Sequence, residues 1–180
     1  MEKKLFNIDL VNTWISKNET KEDIEARFKI LNTEMEKVYL FTLSYYNYLY
    51  DKRDYGNGIP MTMLEIHVLT DINDNPGITV TKIANKWKRT ASSISQIIKN
   101  FYDSKLIDRV RNSLDGKVNN LFITEEGEKI VRMHKYYDNI DSIKTLKKLA
   151  EKVSLEEIEA FFNVIEVYKN IIDSSTKYKV

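Results

Sequence analysis

Residues 90–100, with the sequence TASSISQIIKN, separate hydrogen-bonding from aliphatic side chains on a predicted helix. At about 100° per residue, the aliphatic and aromatic cluster is Ala91, Ile94, Ile97, Ile98 and Phe101. The opposite arc holds Ser92, Gln96, Lys99, Asn100 and Asp103, with Ser93 and Ser95 at its margins. Short hydroxyl side chains allow close approach, and serine, glutamine and lysine can bond to phosphates or base edges. This helix alone leaves open the alternative of an ordinary solvated face.

Basic residues are concentrated around this helix. Between Ile78 and Thr124 there are nine basic and three acidic residues, a balance of +6. Since the whole chain has a net charge of +1, the remainder carries −5. A basic module in an acidic chain suits local contact with a polyanion. Chance clustering on solvated helices is the alternative interpretation.

Side chains that catalysis or metal binding would need are scarce. The chain has no cysteine, which excludes disulfides and thiolate ligands. It has no phosphate-binding glycine loop and no carboxylate–histidine spacing of the metalloprotease type. The two histidines, His67 and His134, are isolated in the sequence and make a poor transition-metal set. We therefore expect no enzyme activity, no cofactor and no metal site.

Between the glycine and proline breaks the hydrophobic period is mostly helical. It predicts a long helix over about Lys21–Tyr50, preceded by a short amphipathic helix over Leu5–Ile15. Three short helices follow, and threonines stand at their predicted N-caps: Thr62, Thr79 and Thr90. Thr62 and Glu65 have the spacing of a capping box.

After Leu106 the pattern alternates and contains an Asp-Gly pair, which predicts a β-hairpin before Thr124. Two further long helices are predicted, the second opened by a capping box of Ser154 and Glu157. Two short helices, the helix of residues 90–100 and then a hairpin have the order of a winged helix-turn-helix. The hairpin carries three basic residues suited to phosphates or a minor groove: Arg109, Arg111 and Lys117.

Three stretches, MTMLEIHVLTDI, GITVTKIANKW and TASSISQIIKNFYDSKLIDRVRNSLDGKVNNLFITEEGE, resemble successive blocks of MarR-type winged-helix transcription regulators. The resemblance covers about Met61–Glu128, including Asp115 followed by Lys117 and the ITEEGE entry to the next helix. It implies a homodimer with interlocked terminal helices, a recognition helix in each major groove and a wing near each minor groove. Many members release DNA when a small, often phenolic, ligand binds between the dimerisation and DNA-binding parts.

Two positions depart from the family pattern. Lys117 stands where the family usually has arginine, and Gly116 stands where the family often has a second arginine. Lysine lacks the arginine fork, so we expect phosphate contact from Lys117 more than base reading. Lys105 stands where the family tends to have glycine after the recognition helix. Because a Cβ disfavours a left-handed cap, we expect a differently built junction there.

These observations predict a homodimeric, sequence-specific DNA-binding transcription regulator that binds a pseudo-palindromic operator, with repression favoured over activation. Base edges or nearby phosphates are assigned to Ser92, Ser93, Gln96 and Lys99. Backbone contacts are assigned to Thr79, Thr81, Thr90 and Ser95. Arg109, Arg111 and Lys117 are assigned to the wing, with pairing to Asp108 or Asp115 as the alternative. A winged-helix protein-interaction adaptor without DNA binding is the second hypothesis.

Tyrosines cluster near the end of the long first helix, and an aromatic ligand pocket is one interpretation of them. The candidate ligand-binding residues are Tyr45, Tyr46 and His67. Packing in a dimer core, with hydroxyls at its edge, is the favoured alternative. Packing is also assigned to Met35, Phe161, Phe162, Ile165 and Ile172. An apolar stripe on the terminal helices favours self-association.

The mainly α fold is predicted in three parts: a helical dimerisation part over 1–58, a winged helix-turn-helix over 59–124 and a second helical dimerisation part over 125–180. No run of about 20 apolar residues indicates a membrane span. The N-terminal sequence MEKKLFNIDLVNTWIS makes a poor signal peptide. A cytoplasmic protein is therefore expected.

Overall fold

A computed structural model describes residues 18–55, 58–112 and 118–176, and the chain divides into two units, Met1–Asp51 and Lys52–Val180. In the first unit, helix α1 spans Lys21–Tyr50, and Thr20 caps it by accepting a hydrogen bond from the Asp23 amide. The predicted long helix is confirmed, and none of its residues is buried. The predicted helix over Leu5–Ile15 lies outside the described residues.

The second unit is a winged helix-turn-helix followed by two long helices. Its elements are β1 (Arg53–Asp54), β2 (Pro60–Met61), α2 (Met63–Asp74), α3 (Val80–Lys86), α4 (Ala91–Asp103), β3 (Ile107–Arg111), β4 (Asn119–Ile123), α5 (Glu125–Ala150) and α6 (Leu155–Thr176). The predicted mainly α fold class is confirmed. The small β1–β2 ladder, which pairs Arg53 with Met61, was not predicted. In the described part of the chain, no helix has the length and apolar character of a membrane span.

Hydroxyl side chains fix where the helices begin. Thr79 accepts from the Lys82 amide and Thr90 from the Ser93 amide, as predicted. Thr62 and Glu65 form the predicted capping box at the start of α2. The second predicted box also forms, because the Ser154 amide donates to Glu157 and the Glu157 amide to Ser154. These bonds satisfy amides that have no partner inside the helix.

Aliphatic residues from four helices and the wing form the core of the second unit. The fully buried members include Ile66, Leu69 and Ile72 of α2, Ile83 of α3, Ile94 and Ile98 of α4, Leu121 of β4, and Ile130 and Val131 of α5. Two residues of the aliphatic and aromatic cluster predicted for α4 are not buried: Ala91 is exposed and Ile97 is half-buried. The first turns of α5 share this core, while the predicted part boundaries at 58 and 124 stay predictions.

Strands β3 and β4 form the predicted wing as an antiparallel ladder from Ile107–Ile123 to Arg111–Asn119. Ile78 also pairs with β4 through an isolated antiparallel bridge, because its carbonyl accepts a hydrogen bond from the Leu121 amide at 3.0 Å. The turn that joins the strands, with Asp115, Gly116 and Lys117, lies outside the described residues.

The junction after α4 corrects the expectation for Lys105. Lys105 has a φ of 59°, which is the left-handed conformation that glycine usually supplies. The Lys105 amide donates to Tyr102 and the Leu106 amide to Phe101, which is the Schellman pattern. The prediction of a different junction is therefore wrong. These two hydrogen bonds and the burial of Leu106 and Phe101 offset the strain at Lys105.

The start of α5 lies directly against this junction. Thr124 donates its hydroxyl to the Lys105 carbonyl at 2.9 Å and its amide to the Leu106 carbonyl at 3.0 Å. A Cβ at Gly127 would lie 2.3 Å from the same Leu106 oxygen. Only glycine fits at this contact, which fixes α5 relative to α4 and the wing.

Candidate nucleic-acid interface

Helix α4 presents an exposed face of hydrogen-bonding side chains. Its buried side is formed by Ile94, Ile98 and Phe101. The five residues that the sequence assigned to contacts on this helix all lie on its exposed surface: Ser92, Ser93, Ser95, Gln96 and Lys99. Since the apolar residues anchor one side in the core, the polar side faces away from the domain.

Two of these side chains have internal partners on the same helix. Gln96 donates from Nε2 to Oδ1 of Asn100 at 3.1 Å, and Lys99 pairs with Asp103 at 2.6 Å. Exposed pairs of this spacing contribute little to stability. Both side chains can therefore exchange their partner for a base edge or a phosphate at small cost.

The N-terminus of α4 carries no acidic residue in its first turn, whereas α1, α2, α5 and α6 each carry at least one. Unpaired amides and the helix dipole make such an end positive. Acidic side chains compensate that charge on those four helices but not on α4, nor on the short α3 that precedes it. Its N-terminus is therefore suited to a negatively charged group.

Hydroxyls surround the N-termini of α3 and α4. Thr79 and Thr90 cap these helices with their oxygens, and Thr81 is exposed in the first turn of α3. An oxygen that accepts an amide bond still leaves its own hydroxyl hydrogen for donation. Capping and phosphate contact are therefore compatible for Thr79 and Thr90.

On the wing, Arg109 and Arg111 are exposed. The Arg109 guanidinium lies 4.7 Å from the centroid of the Tyr102 ring, a cation–π contact with α4. Among the described residues neither arginine forms an ion pair with Asp108. Pairing with Asp115, and the position of Lys117, lie outside the described residues.

Three of the basic residues near this face are bound to acidic partners. Lys88 pairs with Asp173 of α6, and Lys99 with Asp103. Lys86 pairs with the buried carboxylate of Asp71, which also accepts a 2.8 Å bond from Nε1 of Trp87. The +6 of residues 78–124 therefore overstates the charge available to a ligand, because Lys86 and Lys88 pair with acidic side chains that lie outside that segment.

The predicted ligand residues belong to different units. Tyr45 and Tyr46 are exposed on α1, where the Tyr46 ring lies 4.4 Å from the Tyr50 ring and the Tyr45 ring 5.9 Å from the Tyr48 ring. His67 lies on α2 in the second unit. The pocket that would join them stays a prediction.

His67 and His134 are isolated in the sequence, but the structure brings them together. Their ring centroids are 5.0 Å apart, because α2 and α5 pack together, and Asp138 lies 3.6 Å from His134. Burial lowers the pKa of His134, and the nearby Asp138 carboxylate opposes this shift. The spacing of His134 and Asp138 on one helix was a usable sequence signal. The approach of His67 required the tertiary structure.

Comparison with known proteins finds matches to the winged helix-turn-helix segment of the chain. Residues 61–118 match the model of the MarR family. A curated relative, the uncharacterised HTH-type transcriptional regulator YhjH of Bacillus subtilis (strain 168), is 34% identical over 84 residues, 47% of this chain and 48% of that protein. The match thus spans about half of the relative's length.

Two solved structures share the fold. FabT of Streptococcus pneumoniae, in complex with DNA, is 20% identical over 81% of this chain and 98% of its own, with a TM-score of 0.57. ZitR of Lactococcus lactis, a zinc-responsive MarR family member, is 17% identical over 79% of this chain and 99% of its own, with a TM-score of 0.60. Residues 61–118 of this chain therefore match the MarR family model, and the fold around them is the winged helix-turn-helix that these solved structures share.

Proposed function

We propose that the protein is a sequence-specific, DNA-binding transcription regulator that represses from a pseudo-palindromic operator as a homodimer. The observation that carries the proposal is the exposed polar face of α4, with its uncompensated N-terminus, in a domain of the MarR family. FabT, which shares the fold, was solved in complex with DNA. The proposal includes release by a small aromatic ligand near Tyr45, Tyr46 and His67.

In this proposal α4 enters the major groove. Ser92 and Ser93 allow close approach near its N-terminus, and the Gln96 amide pairs with an adenine edge after leaving Asn100. Lys99 leaves Asp103 for guanine or a phosphate. The backbone contacts come from Thr79, Thr81, Thr90 and Ser95, and the wing contributes Arg109, Arg111 and Lys117.

The dimer is supported by exposed apolar residues on the terminal helices. Phe28, Leu40 and Leu43 of α1 are each more than half exposed, as are Val164 and Val167 of α6. Apolar surfaces of this kind mark interaction sites, and a second copy is the simplest partner. Two-fold symmetry then requires two half-sites about one helical turn of DNA apart.

Selection of bound sequences from random duplexes tests the proposal, followed by affinity measurements on the selected site and its single-base variants. We expect a two-fold symmetric site, with binding that weakens steeply as salt increases because phosphate contacts release counterions. Gln96→Ala should cost about 1–3 kcal/mol at one position of each half-site and relax specificity there.

Asn139→Ala, an amide removed from the exposed surface of α5, is the matched control and should leave DNA binding unchanged. If Gln96→Ala weakened binding equally on every DNA sequence, Gln96 would not be a residue that reads a base. Absence of DNA binding at low salt would reject the regulator and favour the protein-interaction adaptor.

A further inference from the structure

Three side chains with metal-binding atoms meet between α2 and α5. One ligand atom each of His67, His134 and Asp138 lies within 4.8 Å of the other two. Nε2 of His134 and Oδ2 of Asp138 are 3.6 Å apart. Ligands at zinc distances and tetrahedral angles are separated by about 3.4 Å. The His134–Asp138 pair therefore already has a ligating separation, and a ring nitrogen of the half-buried His67 lies within 4.8 Å of both.

The His134 ring makes no hydrogen bond of normal length in the described part of the chain. Its Nδ1 is buried without a partner, and its Nε2 is too far from Asp138 for a good hydrogen bond. Buried nitrogens without partners are rare, and a bound ion is one explanation for them.

Two aromatic rings lie against the histidines of the cluster. The Tyr55 ring lies edge-on to His134 at 5.1 Å, and the Trp87 ring lies 5.8 Å from His67. A cavity of about 160 Å³ reaches Asp138; it is lined by Arg53, Asp54, Tyr55, Tyr137, Asp138 and Asp141. Three carboxylates against one guanidinium give this cavity an acidic lining, which suits the entry of a cation.

We propose that His67, His134 and Asp138 bind one divalent transition-metal ion, with water completing its coordination. Two imidazoles and one carboxylate form a nitrogen–oxygen set suited to Zn²⁺ and neighbouring first-row metals. Calcium and magnesium prefer oxygen ligands throughout. Because His67 is on α2 and the other two ligands are on α5, the ion joins the first helix of the winged domain to the helix that leaves it.

Metal titration of the chelator-treated full chain, without DNA, tests this site. Competition with a chromophoric chelator measures Zn²⁺ affinity and stoichiometry, and the visible absorption of bound Co²⁺ reports its coordination. We expect one Zn²⁺ per chain. Asp138→Asn and His67→Gln should each weaken Zn²⁺ binding at least about tenfold and change the Co²⁺ spectrum.

Asp141→Asn is the matched control, because it removes the same charge from the same cavity without removing a ligand. It should leave Zn²⁺ affinity within about twofold of the unaltered chain, since a charge at this distance is partly screened. Circular dichroism of the metal-free variants checks that the fold is kept. No Zn²⁺ binding by the unaltered chain, or equal affinities for all three variants, would overturn the proposal.

Discussion

Lys88 and Lys105 both have positive φ angles, 51° and 59°, and close α3 and α4 in turn. At each helix end, the amide of the lysine and the amide of the next residue donate to carbonyls of the helix. Lys88 donates to Asn85 and Arg89 to Ala84; Lys105 donates to Tyr102 and Leu106 to Phe101. The helix-turn-helix therefore has a lysine at two positions where glycine has the conformational advantage.

Replacing Lys105 with glycine should raise the free energy of unfolding by about 1 kcal/mol, because glycine adopts a positive φ without a Cβ clash. Lys105→Ala is the control, since it removes the same charge but keeps the Cβ, and we expect no gain from it. Urea unfolding followed by circular dichroism measures both. Equal stabilities of the two variants would show that no strain is relieved at Lys105.

The exposed face of α4 illustrates what the sequence could predict at the scale of a residue. Helical spacing was sufficient to place Ser92, Gln96 and Lys99 opposite Ile94 and Ile98. It could not predict the φ of Lys105, because local propensity argues against a lysine there. The compensating bonds and the burial of Leu106 depend on the packing of the hairpin and α5.

At the scale of elements, α5 begins where α4, β3 and β4 meet. Gly127 is buried and lies against the Leu106 carbonyl and the Ile123 side chain. A glycine inside a helix normally reduces its stability by about 0.5–1 kcal/mol relative to alanine. Its presence here follows from the close backbone approach.

Gly127→Ala should therefore lower the free energy of unfolding by about 1–3 kcal/mol, because overpacking exceeds the usual helical gain. Glu128→Ala, one residue further on the exposed side, should change stability little. Denaturant unfolding compares the two variants. A stabilised Gly127→Ala variant would mean that the Leu106 carbonyl moves aside without cost.

The type of each element and the residue at which each helix begins were predictable, because hydrophobic periodicity and capping residues are local signals. The capping boxes at Thr62 and Ser154, the threonine caps and the wing all follow from them. Contacts between elements were not predictable in this way. The meeting of His67 with His134 depends on how α2 packs on α5, which hydrophobic spacing does not specify.

The whole molecule carries apolar surface that its own units leave exposed. Apolar residues of α6 recur at helical spacing, and Phe162, Ile165 and Tyr168 are all exposed. Exposed apolar area of this kind favours association. We therefore expect the chain to be a dimer at micromolar concentration.

Ile165→Asp should weaken that dimer by about a hundredfold or more, because a carboxylate would be buried in an apolar interface. Asn163→Asp adds the same charge two residues away and serves as the control. Sedimentation over a range of protein concentrations measures the dissociation constants. A monomeric unaltered chain, or equal weakening by both variants, would contradict an interface on this face of α6.

The turn between α3 and α4 has two attachments of different strength. On one side the buried Asp71 holds Lys86 and Trp87, and loss of a buried charged partner is strongly destabilising. On the other side Lys88 reaches Asp173 through an exposed ion pair, and such pairs contribute little. Cutting the attachment to α2 should therefore cost the domain far more stability than cutting the attachment to α6.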